Sequence, residues 1–118
     1  MVTESQFVRL EFYIPSKQSN GEDVDTRCVK IIRDGIIGEL CRVAGGCSSA
    51  HVDGVWINTD TANIDAETCE VLFAMIDDSH VSHWTVSWIK DVLEDMRISL
   101  LQNATLAVLG DRKFLCVA

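Results

Sequence analysis

The sequence predicts an α+β fold of the ferredoxin-like βαββαβ kind, an antiparallel sheet with two helices on one face. Three observations carry this. Apolar residues alternate with a period of two near both ends of the chain; two long stretches carry them at spacings of three and four; and the elements fall into two halves of similar length. With 118 residues, 47% of them hydrophobic, the chain can bury a core of the usual single-domain size, and residues 1–118 are read as one domain.

The first strand is predicted over Phe7 to Ile14, with Val8, Leu10, Phe12 and Ile14 on one face and Phe7, Arg9, Glu11 and Tyr13 on the other. Pro15 stops it, and Ser16 to Asp23, with Asn20-Gly21 at its centre, is a turn-rich loop. From Val24 the period changes. Val29, Ile32, Ile36, Leu40 and Val43 mark a helix running to about Ala44, with Arg27, Lys30 and Asp34 outward and Gly45-Gly46 ending it. Gly35 and Gly38 lie inside this helix and imply either a close approach to another element or a kink. Cys47 to Val52 and Val55 to Asn58 are expected as two short strands around an Asp53-Gly54 tight turn. After a polar loop, Thr59 to Asp65, the segment Thr68 to Ile76 is apolar on both sides and belongs in the middle of the sheet. Asp77-Asp78-Ser79 is expected to cap a second helix that continues to about Leu101, with Ile89, Val92, Leu93, Met96 and Leu100 inward and a Lys90–Glu94 pair outward. Ala104 to Leu109 is the next strand; Gly110-Asp111 turns the chain into a small C-terminal hairpin strand, Phe114 to Val117.

The stretch Gly45 to Trp56 differs in kind from core and solvated face, since two glycines, small hydroxyl residues and a second glycine turn lead to a tryptophan. Together with Arg9-Leu-Glu-Phe-Tyr-Ile-Pro15 and Asn20-Gly21, its Gly45-Gly46-x-Ser48 and Gly54-x-Trp56 motifs resemble those of a set of small uncharacterised prokaryotic and phage proteins. Those share a basic residue in the first strand, an I/V-P ending, an N-G loop, then G-G-x-T and G-x-W. Ser48 stands where their pattern has Thr, which keeps the hydroxyl. The resemblance covers roughly the first half of the chain. It implies a compact α+β domain and names no catalytic residue.

The formal net charge of −8 argues against a nucleic-acid partner, because phosphate binding draws on clustered Lys and Arg, and the run Arg27, Lys30, Arg33 is short enough to be a solvated face. No apolar run approaches the roughly 18 residues that span a bilayer, and no leader pattern opens the chain, so a cytoplasmic protein without membrane contact is expected. Five cysteines, Cys28, Cys41, Cys47, Cys69 and Cys116, are odd in number, lack a C-x-x-C pair and sit mostly in apolar runs, which suits thiols acting as small hydrophobes in a reducing compartment. One face of the predicted sheet lacks helices and carries Phe7 and Tyr13, so a homodimer covering that face is expected.

Four groupings bear on chemistry. His80 and His83 follow Asp77 and Asp78 at spacings that suit metal ligands, but the residue types equally suit a helix cap, and no metal or other cofactor is expected. His51 and Asp53 share a strand face with Ser49, with Ser48 on the other; no G-x-S-x-G elbow accompanies them, so a hydrogen-bonded strand end is favoured over a hydrolase. Gly45-Gly46 precedes a strand rather than a helix, the reverse of a phosphate loop. Trp84 and Trp88, four apart, are read as core before interface, with Trp56 a third aromatic to place. Two functions follow: a non-enzymatic binding or interaction module for a protein or small molecule, and, as the alternative, a small enzyme or ligand-sequestering protein. The ligand-binding residues expected are Arg9, Tyr13, Ser49, His51 and Trp56, with none assigned as catalytic.

Overall fold

The alternation that opens the chain becomes strand β1 (Phe7–Ile14), whose Leu10, Phe12 and Ile14 are buried while Phe7 on the opposite face is 58% exposed. The structure, a computed structural model, describes residues 1–57 and 61–118, and of residues 56 and 57 only the backbone. Helix α1 (Thr26–Ala44) follows, then β2 (Ser48–Ile57), β3 (Ile64–Asp77), a single 3-10 turn over Asp78–His80, helix α2 (His83–Ser99), and a closing hairpin of β4 (Ala104–Leu109) and β5 (Arg112–Val117). The five strands form one sheet in the order β2-β3-β1-β4-β5, antiparallel at every pairing. This is the ferredoxin-like α+β arrangement, with β5 appended beyond β4. Both helices lie on the face presented by Leu10, Phe12, Leu72, Ala74 and Leu109, where Ile36, Leu40, Ile89 and Met96 meet them in a single core.

Asp25 caps α1: its carboxylate accepts the backbone N–H groups of Arg27 at 2.8 Å and Cys28 at 3.2 Å. Those donors favour the charged form and hold the Asp25 carboxyl below its ordinary range. A depressed folded-state pKa contributes stability that is fully present above the ordinary Asp value of about 3.9 and is lost as pH falls through the lower folded-state value. Asp25→Ala is therefore expected to lower the melting temperature at neutral pH, with the deficit shrinking on acidification; thermal melts of both proteins across the acid range check this. At the other end Gly45 adopts φ +79° and donates its N–H to the Cys41 carbonyl, as a left-handed cap requires.

The two glycines within α1 mark neither a close approach nor a constraint. A Cβ built at Gly35 or Gly38 meets nothing within 4 Å. Alanine at each position is thus expected to stabilise the protein by roughly 0.5–1 kcal/mol, measurable by chemical denaturation.

Three other expectations are corrected. Asp53-Gly54 is not a turn: β2 runs unbroken through it, because Asp53 pairs with Thr68 and Gly54 with Glu67 in a ladder that continues to Ile57↔Ile64. The reversal falls later, and Asn58, where the second short strand was to end, lies with residues 59 and 60 outside the described residues. Asp77-Asp78-Ser79 does not cap α2. Asp77 caps the 3-10 turn, accepting the Ser79 N–H at 3.0 Å, while Ser82 and Thr85 form the capping box of α2, which ends at Ser99. Glu94 pairs with Arg97 at 2.8 Å rather than with Lys90. The cysteines are also less buried than their apolar neighbours suggest, for Cys41 is exposed and the other four are partly so, all as free thiols.

Candidate functional site

The face of the sheet without helices gathers polar and aromatic side chains around its two central strands. The pairing of β1 with β3 sets Arg9 opposite Met75, Glu11 opposite Phe73 and Tyr13 opposite Val71, and carries the same face of β3 back through Cys69 to Glu67. Arg9 lies 4.0 Å above the Phe73 ring and pairs with Glu11, whose side chain is only 17% exposed. The Tyr13 hydroxyl donates to the second Glu11 oxygen at 2.9 Å. Burial and the Glu11 carboxylate raise the Tyr13 pKa, so the phenol remains a donor at neutral pH.

Glu67 sits where the chain leaves β1. One of its oxygens accepts the Lys17 backbone N–H at 3.0 Å and the Ser16 hydroxyl at 3.4 Å, which holds this partly buried carboxylate against the strand exit. The Cys69 thiol lies 3.6 Å from its other oxygen. Burial first, and Glu67 second, push that thiol up to about 11. Cys69 is therefore a protonated thiol near neutral pH and supplies no thiolate nucleophile. The face thus presents Glu11 and Phe73, both engaged by Arg9, and, six positions along β3 from Phe73, the carboxylate of Glu67. Chemically Glu67 is the group on this face suited to a cation, with Tyr13 the nearer aromatic ring.

The five residues expected to share a site are divided by the sheet. Arg9 and Tyr13 occupy the open face, whereas the β2 register sets Ser49 against Leu72 and His51 against Glu70, both on the helix side. Residues one apart in a strand face alike and neighbours do not, so Ser49 and His51 of this chain do not join Arg9 and Tyr13. The Trp56 backbone pairs with Asp65, and its side chain lies outside the described residues. Asp53 accepts a hydrogen bond from the Thr68 hydroxyl at 3.0 Å.

Among the described residues no group of three or more His, Cys, Asp or Glu side chains is placed to hold a metal, and Asp77 is engaged by Ser79 rather than by His80 or His83. Trp88 belongs to the core edge, meeting Phe12 edge-to-face at 5.3 Å, while Trp84 stacks on it at 6.0 Å and stays 50% exposed. Arg33 is not simply solvated: it bonds Glu70 at 2.7 Å and ties α1 to β3. Sequence reasoning missed Glu11, Glu67, Cys69 and Phe73 as a set. Extending the β3 alternation backwards past Thr68 would have grouped Glu67 with Cys69 and Phe73 on one face of that strand, and only the register against β1 makes it the face of Arg9 and Tyr13.

Fold and face together define a ferredoxin-like domain with an uncovered, polar-aromatic sheet surface. No family model matches the chain, and no curated protein does. Among solved structures it is similar over its whole length to a phage S-adenosylmethionine lyase in complex with S-methyl-5'-thioadenosine, with a TM-score of 0.69 and 9% identity, covering 95% of that chain. The same lyase in its apo state gives a TM-score of 0.68 at 10% identity, again over 100% of this chain and 95% of that one. At such identities the likeness is one of fold.

Proposed function

We propose that this protein binds S-adenosylmethionine on the open face of its sheet and releases methylthioadenosine from it, in the manner of a small lyase. The observation that carries the reading is Glu67, a partly buried carboxylate whose hydrogen bonds come from the Lys17 backbone N–H, the Ser16 hydroxyl and the Cys69 thiol, on the face that also carries Tyr13 and Phe73. A sulfonium ion is a permanent cation with no N–H to donate, so its recognition rests on nearby carboxylates and aromatic faces; an adenine ring adds a stacking partner. The fold shared with a phage S-adenosylmethionine lyase from end to end supports the choice of ligand. Chemically the reaction asks little of the protein. The sulfonium is already a leaving group: as the substrate's own carboxylate oxygen bonds to the carbon on sulfur, the C–S bond breaks with its electron pair passing to sulfur and an amino-lactone leaves beside methylthioadenosine, so the catalytic contribution is orientation and electrostatics.

Calorimetry with S-adenosylmethionine and with methylthioadenosine, followed by chromatography of the incubated mixture, tests this. Binding of both with accumulation of methylthioadenosine supports the reading. Binding without turnover reduces it to a ligand-binding protein, and absence of binding overturns it.

A second reading, a non-enzymatic interaction module, is favoured by the apolar residues on the same face: Phe7, Met75, Leu115 and Val117 are all more than half exposed. Such a module retains its protein partners when Glu67 is neutralised, whereas a sulfonium site does not retain its ligand.

A further inference from the structure

We propose that a second copy of this chain pairs antiparallel with the free edge of β2, about a twofold axis at Val52, and joins two five-stranded sheets into one. β2 is an edge strand ten residues long, paired with β3 along its whole length on one side and, among the described residues, with no strand on the other. Side chains from Ser48 through Asp53 are exposed on both of its faces. Folded proteins guard such edges with lysines, prolines or bulges. The opposite edge of this sheet has that protection, since β5 begins Arg112-Lys113, but β2 contains no Lys, Arg or Pro and a single acid, Asp53.

Side-chain complementarity identifies the occupant. His51 and Asp53 lie on the same face, one residue to either side of Val52. A twofold axis at Val52 sets His51 opposite Asp53 of the partner subunit, and Asp53 opposite the partner's His51, at two symmetry-related positions. Moving the axis one residue to His51 sets that histidine against its own copy; moving it to Asp53 sets two carboxylates against each other. Of the registers near the middle of the strand that keep both helix layers on one side, only the Val52 register sets imidazole against carboxylate at both positions. The same register places Ala50 opposite Gly54 and the exposed Val55 opposite Ser49, so small residues face larger or equal ones. The Thr68 hydroxyl, bonded to one Asp53 oxygen at 3.0 Å, leaves the other oxygen for the partner. The interface uses the strand edge and leaves the open face uncovered. It is therefore independent of the ligand proposed above, and it differs from the face-to-face dimer expected from the sequence.

Analytical ultracentrifugation of the wild type across a dilution series, with circular dichroism to confirm folding, tests the pairing. The wild type is expected at twice the mass of the chain. His51→Asp, which sets carboxylate against carboxylate at both positions, is expected to weaken the dimer roughly tenfold or more, and the swapped double variant His51→Asp with Asp53→His is expected to restore it. A wild type that stays monomeric, one that forms a ring of three or more subunits, or a dimer that His51→Asp leaves unchanged would each overturn the proposal, as would failure of the swapped variant to recover.

Discussion

Glu67→Gln is expected to weaken S-adenosylmethionine binding roughly 10- to 100-fold while changing methylthioadenosine binding little. The two ligands share the methylthioadenosine part, and S-adenosylmethionine adds the sulfonium charge and an arm bearing an ammonium and a carboxylate, so the ratio of their dissociation constants reports what Glu67 contributes to holding those added groups. The range corresponds to the loss of a charged partner, about 1.5–3 kcal/mol. Glutamine keeps an oxygen that accepts from the Lys17 N–H and the Ser16 hydroxyl, so the strand exit stays in place and the melting temperature is expected to change only slightly. Equal weakening of both ligands would show that Glu67 holds the loop rather than the cation. Calorimetry with the two compounds separates these outcomes.

Phe12→Ala is expected to cost about 3–5 kcal/mol and to lower the melting temperature by roughly 10–25 °C. Phe12 is fully buried on the central strand, and its ring meets Trp88 at an interplanar angle of 77°. Removing the ring leaves a cavity between β1 and α2 and frees one face of that indole. Trp84→Ala, at a half-exposed position stacked on the same tryptophan, is expected to cost far less. Urea unfolding followed by tryptophan fluorescence measures both. A small loss at Phe12 would mean that the core closes over the gap.

Much of the fold was legible because periodicity reports burial directly. Leu10, Phe12 and Ile14 alternate along a strand with one covered face, and Ile32, Ile36 and Leu40 recur along a helix with one covered stripe. Misreadings arose where local chemistry and tertiary context disagree. Asp53-Gly54 has turn composition, yet it lies mid-strand because its neighbours across β3, Thr68 and Glu67, continue the ladder. Asp77 and Ser79 have capping composition and do cap, but they cap the short turn before α2. The candidate site was less legible. Arg9 and Tyr13 were found from their own strand, whereas their neighbours Phe73, Cys69 and Glu67 join them only through the register of β1 against β3, separated by more than fifty positions in the chain. Ser49 and His51 were expected to line one pocket with them, and the register of β2 on β3 and of β3 on β1 sends them to the other face.

The central place of β1 has a consequence for how the molecule forms during synthesis. This first strand pairs on one side with β3, and on the other its residues Leu10 to Phe12 await Ala107 to Leu109, nearly a hundred positions later. A nascent chain that has emerged from the ribosome as far as α2 can hold the β2–β3 hairpin and the first helix, but one flank of its central strand remains bare. Contacts of such long range are slow to close and leave intermediates prone to association. Strand β4, translated after both helices, therefore covers the bare flank of the central strand, and a ribosome stalled before Ala104 would display an adhesive, unfinished edge.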